Sequence, residues 1–300
     1  MDAVRPTGLP VNGWWSLVLL LTTAAVLATR LWIPLVAGML ERGGLLSTNF
    51  QGRRLPTGMG LGFLVPLLAA LGLGTVTGVL AAPVGLSLLF ALSALAFLGF
   101  VDDVCGDHTH RGWAGHWRAL QAESLVTTGL FKAAGGGFVA LVVSVTGIGL
   151  RDGPPWLSVP VSALFLALAT NSLNLFDIRP GRAIKAFLVA LLLPLASLLT
   201  ALPPSAGSQV GAVLLWTAAT VLTYAPRDLQ AQVMMGDTGA NPLGFLLGVG
   251  WVAWLPFWAE LAGVIALLWF QRFAGRASLS GLISRHAWLA RLDAWGRPPG

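Results

Sequence analysis

The stretch PVGLSLLFALSALAFLGFVDD, residues 83–103, decides the fold class of this chain. Residues 83–101 contain no charged side chain, and two carboxylates follow directly as Asp102 and Asp103. A helix needs roughly 20 mostly apolar residues to cross a lipid bilayer. The stretch therefore predicts a membrane-spanning helix that ends in a pair of acids at the membrane boundary.

The composition of the whole chain agrees with this reading. Of its 300 residues 56% are hydrophobic and only 10% are charged, whereas soluble domains are about 25% charged. This scarcity of charge excludes a soluble enzyme, a disordered chain and a nucleic-acid-binding domain. The net charge of +6 lies between apolar runs, where it sets membrane orientation. A single cysteine, Cys105, excludes an intrachain disulfide.

Similar apolar runs recur along the chain and predict an all-α fold. We expect a polytopic integral membrane helical bundle of about nine transmembrane helices. Residues 1–272 form one transmembrane domain of catalytic type in this interpretation, and residues 273–300 form a basic amphipathic tail on the inner membrane surface. The predicted spans are 14–38, 59–80, 83–101, 128–149, 157–175, 183–201, 209–225, 240–255 and 257–272.

The basic residues predict the orientation in the cell membrane. If the N-terminus lies outside and the spans alternate, nearly all of the 18 Lys and Arg residues fall on the cytoplasmic side, as the positive-inside rule requires. Several acids fall on the same side, which suggests a site for a cation or a phosphate. Ordinary solvated loop charges are the alternative, and we prefer it for Glu123, Asp228 and Asp293. Solvated loop residues are also preferred over a zinc site for His108, His110 and His116.

Three segments place charged groups at the ends of predicted spans. Arg53 and Arg54 lie in a loop before the second span, where they either bind a lipid phosphate or only follow the positive-inside rule. Adjacent carboxylates such as Asp102 and Asp103 suggest magnesium binding or proton abstraction. Lys132 opens the fourth span and needs a partner or an anion unless it snorkels to the headgroups.

The last two segments follow the fifth span and open the eighth. Asn171, Asn174 and Asp177 share one helix face if the helix continues, forming either the wall of a site or a helix-packing network. Asp237 lies between Gly236 and Gly239, where a carboxylate can approach a metal and backbone N–H groups can approach phosphate oxygens.

Together these segments resemble the polyprenyl-phosphate N-acetylhexosamine-1-phosphate transferases, which include the phospho-N-acetylmuramoyl-pentapeptide and undecaprenyl-phosphate N-acetylglucosamine-1-phosphate transferases. The resemblance covers about residues 45–250. It is carried, in order, by Asn49…Gly52…Pro56-Thr57, Asp102-Asp103, Lys132, Asn171-x-x-Asn174-x-x-Asp177 and Gly236-Asp237-Thr238-Gly239.

The resemblance implies a magnesium-dependent glycosyl-1-phosphate transferase of cell-envelope glycan synthesis, such as peptidoglycan synthesis. A polyprenyl phosphate would attack the β-phosphate of a nucleotide-sugar, usually UDP-linked, and UMP would leave. The partners implied are the lipid and the nucleotide-sugar, with no nucleic acid; a homodimer or a complex with other envelope enzymes stays open.

The resemblance also implies roles for individual residues. Asp237 would hold Mg²⁺, and Asp102 or Asp103 would activate the lipid phosphate or shape the metal site. Lys132 would contact phosphate, and Asp177 would line the donor pocket. The candidate catalytic residues are Asp102, Asp103, Lys132 and Asp177. The candidate substrate-binding residues are Asn49, Arg53, Asn171, Asn174, Arg179, Arg182 and Thr238.

Departures from the family's pattern cluster on recognition of the nucleotide-sugar. Pro180 stands where the family often has a second Asp, Met234 where it often has an aromatic residue, and Arg227 where it usually has an Asn. These changes indicate a divergent member with a different donor. The alternative is a catalytically silent relative that binds the lipid carrier or organises envelope enzymes. An unrelated transporter is disfavoured because no inverted repeat is evident.

Overall fold

The computed structural model describes residues 9–106, 127–146, 153–203, 205–274 and 279–297, without the side chains of residues 198–200. The predicted features at His108, His110, His116 and Glu123 lie outside these residues.

A long helix occupies each of the predicted spans, and two short helices follow in the tail. The long helices are α1 (Val11–Arg42), α2 (Leu61–Val76), α3 (Ala82–Cys105), α4 (Thr128–Val145), α5 (Pro155–Asn174), α6 (Arg182–Thr200), α7 (Ala206–Leu229), α8 (Asp237–Trp254) and α9 (Phe257–Ala274). The tail helices are α10 (Leu279–Arg285) and α11 (Ala287–Ala294).

The helices fit a membrane protein. Within the described part of the chain, six of them, α1, α3, α4, α5, α7 and α9, are long and apolar enough to cross a membrane. Helix α2 is apolar but shorter. The predicted helical class is therefore confirmed, whereas the number of nine spans stays a prediction.

One β-hairpin interrupts the helical architecture, in a segment that sequence reasoning treated as a loop. Strand β1 (Leu46–Thr48) pairs antiparallel with β2 (Arg54–Pro56), in the register Ser47↔Leu55. The side chain of Asn49 closes the turn, because its Oδ1 accepts hydrogen bonds from the backbone N–H of Gln51 and of Arg53, both at 2.9 Å. An Asx-type turn of this kind replaces backbone pairing at the hairpin tip.

Helix α8 lies at the centre of the bundle. Almost every residue from Thr238 to Ala253 is buried, and the helix packs most closely against α5 and α3. Gly244 lies against the Thr170 backbone, where a Cβ would approach the backbone atoms to 2.8 Å. Small residues at such positions let helix backbones approach closely. The position of Asp237, the first residue of α8, is therefore set by the surrounding helices.

The tail differs from the single amphipathic helix that the sequence predicts. His286 adopts an extended conformation with φ −114° and ψ 109° and separates α10 from α11. No residue of α11 is fully buried. The tail consists of two short helices that pack against the end of the bundle where α6 begins.

Candidate active site

The candidate site lies where the C-terminal end of α3 meets the N-terminal end of α8. Gly99 of α3 lies directly against the carbonyl of Asp237 and the backbone N–H of Thr238, and a Cβ at residue 99 would collide with both. Gly60, at the start of α2, lies in the same way against the backbone of Gly239. Backbone contact of this kind holds Asp237 at a fixed distance from the acids that end α3.

The two adjacent acids of α3 have different surroundings. The Asp103 carboxylate accepts hydrogen bonds from the backbone N–H of Asp237 at 2.9 Å and of Thr238 at 3.0 Å, and from the Thr238 hydroxyl at 2.6 Å. These N–H groups belong to the first turn of α8, which lacks partners within its own helix. Asp103 thus caps α8 from a neighbouring helix, and a carboxylate there also interacts favourably with the helix dipole.

This capping bears on one possibility that the sequence left open. The small residues around Gly236 allow backbone N–H groups to approach phosphate oxygens. Those of Asp237 and Thr238 bind Asp103 instead, and those of Gly239 and Ala240 donate to the carbonyl of Gly236. The Gly-Asp-Thr-Gly segment therefore presents the Asp237 side chain rather than a phosphate-binding backbone.

Asp102, the other acid, forms an ion pair with Lys132. The Lys132 Nζ lies 2.8 Å from Asp102 Oδ2 and also contacts Asp237 Oδ2. The three side chains remain 20–23% exposed, so a ligand can reach them. The lysine thus bridges carboxylates from α3 and α8, and its ammonium group partly neutralises their repulsion.

Asn174 and Asp177 approach the same centre from α5 and the loop after it. Asn174 Nδ2 donates to Asp237 Oδ2 at 3.1 Å. Helix α5 ends at Asn174, so Asp177 reaches the site from the loop and not from a continued helix. Its carboxyl accepts a hydrogen bond from the Gly236 N–H.

The electrostatic environment of Asp177 is unfavourable for ionisation. Burial raises the pKa of the Asp177 carboxyl well above its ordinary value, and the nearby carboxylates of Asp228, Asp237 and Asp103 raise it further. A hydrogen bond from Gly236 opposes this rise without cancelling it. The site therefore concentrates negative charge around one lysine, which suits binding of cations.

The hairpin is joined to the site through the backbone. Met59 N–H donates to the Met234 carbonyl at 3.1 Å, Gly60 N–H to the Met235 carbonyl at 2.9 Å, and Met234 N–H to the Pro56 carbonyl at 2.9 Å. The segment after β2 therefore runs beside the segment that precedes Asp237. The glycine and proline residues of this loop serve to bring the two segments together.

The candidate substrate-binding residues divide into two groups. Asn174 and the buried Thr238 lie in the cluster around Asp237, whereas Asn49 closes the hairpin turn. Arg53 is exposed on the hairpin. The Arg179 guanidinium lies 4.4 Å from the centre of the Phe50 ring, a cation–π distance that joins the hairpin to the loop of Asp177.

Asn171 and Arg182 bind elsewhere in the structure. Asn171 Nδ2 donates to Gln271 Oε1 of α9 at 3.0 Å, so the alternative of a helix-packing contact describes Asn171 best. Arg182 is buried and forms a two-pronged ion pair with Asp293 of the tail, with both N···O distances 2.8 Å. Neither side chain makes a hydrogen bond to the cluster around Asp237 among the contacts of the described residues.

Two acids interpreted as solvated loop charges have structural partners, so that interpretation is wrong for both. Asp228 is only 3% exposed; its Oδ2 accepts a hydrogen bond from the Gly181 N–H at 2.6 Å. Asp293 binds Arg182 and Arg297. A sequence signal was present for Asp228, since it lies one helical turn from Tyr224, whose hydroxyl is 3.4 Å away. Its partner Gly181 is distant in sequence and gave no signal.

Comparison with known proteins identifies the chain. The model of glycosyl transferase family 4 matches residues 85–255, the range that contains Asp102, Lys132, Asn174 and Asp237. The chain belongs to this family. Glycosyl transferase family 4 comprises the polyprenyl-phosphate sugar-1-phosphate transferases, so the predicted family is confirmed. No curated protein sequence matches the chain significantly.

The family match and the geometry coincide. The matched region includes α3 from Gly85 onward and the helices α4 to α8. These helices supply the four side chains of the cluster around Asp237, which are Asp102, Lys132, Asn174 and Asp237 itself. The hairpin with Asn49 and the tail helices lie outside the matched region. Membership of family 4 therefore supports sugar-phosphate transfer to a lipid carrier.

Proposed function

We propose that this chain transfers sugar-1-phosphate from a nucleotide-sugar to a polyprenyl phosphate in the membrane. The proposed donor is UDP-linked, as the resemblance to the family implies. The observation that carries the proposal is the convergence of Asp102, Lys132, Asn174 and Asp237 at one partly open point. Phosphoryl transfer needs positioned phosphates and cationic groups against developing negative charge. The cluster offers both a cation and carboxylates that bind a second one.

The donor set around Asp237 fits Mg²⁺. Asp102 Oδ2 and Asp237 Oδ2 converge on one cationic group, the Lys132 ammonium. No group of three or more His, Cys, Asp or Glu side chains with metal-ligand geometry occurs in the parts of the chain that the structure describes. Two carboxylates suffice for Mg²⁺, which is usually held by one or two of them together with substrate phosphates and water.

We infer that Asp237 and Asp102 hold Mg²⁺ when the substrates bind. The chemistry that the bound ion supplies is neutralisation of charge on the phosphoryl oxygens. Lys132 then binds a phosphate oxygen, and Asn174 keeps the Asp237 carboxylate oriented. Asp103 is a positioning residue, because its carboxylate oxygens are already occupied by the first turn of α8.

The reaction balances as a phosphate-for-phosphate exchange. An oxygen of the lipid phosphate forms a bond to the β-phosphorus of the donor, which carries the sugar. The bond from this phosphorus to the oxygen bridging the α- and β-phosphates breaks, and nucleoside monophosphate leaves with that oxygen. In this proposal the Lys132 ammonium stabilises the charge that builds on the β-phosphoryl oxygens.

An apolar cleft supports a lipid acceptor. The cleft has a volume of about 520 Å³ and lies between α5, α6, α8 and α9. Phe176, the residue directly before Asp177, lines this cleft. Its ring stacks on the ring of Phe270 in α9, with 5.5 Å between the ring centres. Leu173, directly before Asn174, also lines the cleft. A prenyl chain in the cleft would therefore end with its phosphate beside the charged cluster.

The same arrangement supports the proposed orientation. Helices α3, α5, α7 and α9 end, and α4, α6 and α8 begin, at the end of the bundle that carries the cluster. Most of the basic residues lie at this end, which we propose faces the cytoplasm with the N-terminus outside. A soluble nucleotide-sugar is available on that side, and the lipid phosphate lies at the boundary.

The proposal is tested by the release of nucleoside monophosphate. Purified protein in nanodiscs is given undecaprenyl phosphate, Mg²⁺ and a panel of nucleotide sugars. We expect release with at least one donor, and its loss in Asp237→Asn. Glu41→Gln removes an exposed carboxylate at the end of α1 and is the matched control. Absence of release with every donor, together with retained lipid binding, would refute the transferase and identify a silent relative.

A further inference from the structure

The outer face of helix α11 is apolar and exposed. Trp288, Leu292 and Trp295 are 67%, 48% and 72% exposed, respectively. Their spacing of four and three residues places them on one side of the helix and its end. Arg285 and Arg291 are exposed beside them. Tryptophan and leucine on one face with flanking arginines are the composition of helices that lie in the headgroup region of anionic membranes.

The inner side of α11 is held to the protein by Asp293. Asp293 pairs with Arg182 and with Arg297, each at 2.8 Å. Burial opposes ionisation of Asp293, but the hydrogen bonds and charges of the two arginines outweigh it and hold the pKa of Asp293 well below its ordinary value. The helix therefore docks on the protein through charge and leaves its apolar side outward.

The start of α6 holds α11 in place. Arg182 and Lys185 belong to the first turn of α6, whose following residues are apolar. Lys185 Nζ donates to the carbonyls of Leu292 at 3.0 Å and of Asp293 at 2.7 Å. Helix α11 therefore lies beside the charged start of an otherwise apolar helix.

The inner face also contacts the loop that carries Asp177. Arg297 Nε donates to the Pro180 carbonyl at 2.6 Å, and Arg182, held by Asp293, begins the helix that follows the loop. Residues 175–181 are thus held at their C-terminal end by the tail. Movement of the tail would loosen this loop.

We propose that α11 is a membrane-surface anchor: its outer face binds anionic lipid, and its inner face holds the loop 175–181 in place. The positive charge of Arg285 and Arg291 is complementary to the negative charge of anionic headgroups. The lipid contact is independent of the proposed transferase reaction. Its tests measure lipid contact and backbone exchange, so a chain without transfer activity can still satisfy them.

The first test places a fluorescent label on the outer face of the full-length chain. Cys105 is the only cysteine, so Cys105→Ser combined with Leu292→Cys leaves a single site for an environment-sensitive dye. We expect nitroxide-bearing lipids to quench this dye at least twofold more strongly in nanodiscs with phosphatidylglycerol than in discs of phosphatidylcholine alone. A label at Ala294→Cys, exposed but turned away from Leu292, is expected to be quenched less.

Two results would overturn the lipid contact. Equal, weak quenching at both positions in both kinds of disc would show that the face does not enter the lipid. Efficient disulfide formation between two copies through Leu292→Cys, without lipid quenching, would show that a second copy of the chain covers the face instead.

The second test measures hydrogen exchange in residues 175–181. In anionic nanodiscs, we expect the double variant Arg285→Gln/Arg291→Gln to lose lipid quenching and to exchange these amides severalfold faster. Arg42→Gln/Arg227→Gln removes the same charge from other exposed positions and is expected to change neither. Loss of quenching with unchanged exchange would overturn the link between the anchor and the loop.

Discussion

At the residue scale, Lys132 is the centre of the candidate site. It is one of only two lysines in the chain, and its ammonium group binds carboxylates of two helices. Removing it leaves two acids facing each other without a cation, and removing one partner of a part-buried ion pair costs more than the pair itself contributes. The lysine thus keeps the acids together, and in the proposed reaction it also binds phosphate.

Replacement of this lysine tests both roles. We expect Lys132→Met to lower the release of nucleoside monophosphate by about 100-fold or more, in line with the loss of a group that stabilises transition-state charge. Lys132→Arg keeps the charge but changes its shape, and is expected to retain a small fraction of the activity. Arg42→Gln, on the exposed end of α1, is the control. Full activity of Lys132→Met would remove the lysine from the reaction.

The raised pKa of Asp177 predicts how the stability of the folded chain depends on pH. Its pKa is raised in the folded protein above the ordinary value of 3.8, so the folded chain binds a proton more tightly than the unfolded chain does. The contribution of Asp177 to stability is therefore present at pH values below 3.8 and is lost as the pH rises through the folded pKa. Asp177→Asn is uncharged at every pH and lacks this loss.

Thermal unfolding at several pH values checks this sign. Between pH 5 and pH 9, the unfolding midpoint of Asp177→Asn should fall less steeply than that of the unaltered chain and should be higher at the alkaline end. Glu41→Gln, which replaces an exposed carboxylate, should leave the slope unchanged. A steeper slope for Asp177→Asn would contradict the raised pKa.

At the element scale, the position of α8 depends on backbone contact between helices. Gly99 and Gly60 have no room for a side chain because the start of α8 lies against them. Gly236 has φ +70°, a conformation that favours glycine, and a Cβ there would collide with the Asp103 carboxylate. Through these contacts, the packing of the helices determines the position of Asp237.

A pair of glycine substitutions separates packing from helix propensity. Gly99→Ala should displace the Asp237 backbone, lower the thermal midpoint and reduce activity at least tenfold. Gly137→Ala in α4 is the control, because no atom lies within 4 Å of the position of its Cβ. In water alanine is favoured over glycine in a helix by about 1 kcal/mol, so this control should be neutral or stabilising. Equal behaviour of the two variants would show that the contact at Gly99 is unimportant.

At the scale of the whole molecule, the site joins an apolar cleft to a charged cluster. The cleft between α5, α6, α8 and α9 is lined mainly by apolar side chains. The cluster lies at the ends of α5 and α8, which also line the cleft, and of α3 and α4. A polyprenyl phosphate also has an apolar part, its chain, and a charged part, its dianionic phosphate. One lipid molecule can therefore occupy both the cleft and the charged cluster.

Filling the cleft should affect the lipid substrate selectively. We expect Ala266→Phe, which adds a ring to the cleft lining, to raise the KM for polyprenyl phosphate about tenfold with little change in the KM for the nucleotide-sugar. Ala262→Phe, exposed on the same helix but outside the lining, should change neither constant. Equal increases in both KM values for Ala266→Phe would argue against a separate lipid site.

Much of this architecture was predictable because the insertion of a helix into a membrane depends on the local amino-acid composition. A run of about 20 apolar residues forms a helix in lipid whatever its neighbours, since every backbone group must be satisfied within the helix. The motif residues Asp102, Lys132, Asn174 and Asp237 were predictable for a related reason, since polar and charged groups at membrane depth are costly. The sequence alone thus determined the helical class, the family and the identity of the central charged groups.

Only the tertiary structure decided what each polar group does. Asp102 and Asp103 are adjacent in sequence, yet one pairs with a lysine and the other caps α8. Asp228 and Asp293 looked like solvated charges until the fold placed Gly181 and Arg182 against them. These partners are distant along the chain. Helix packing, which no local pattern encodes, therefore determined the site's geometry.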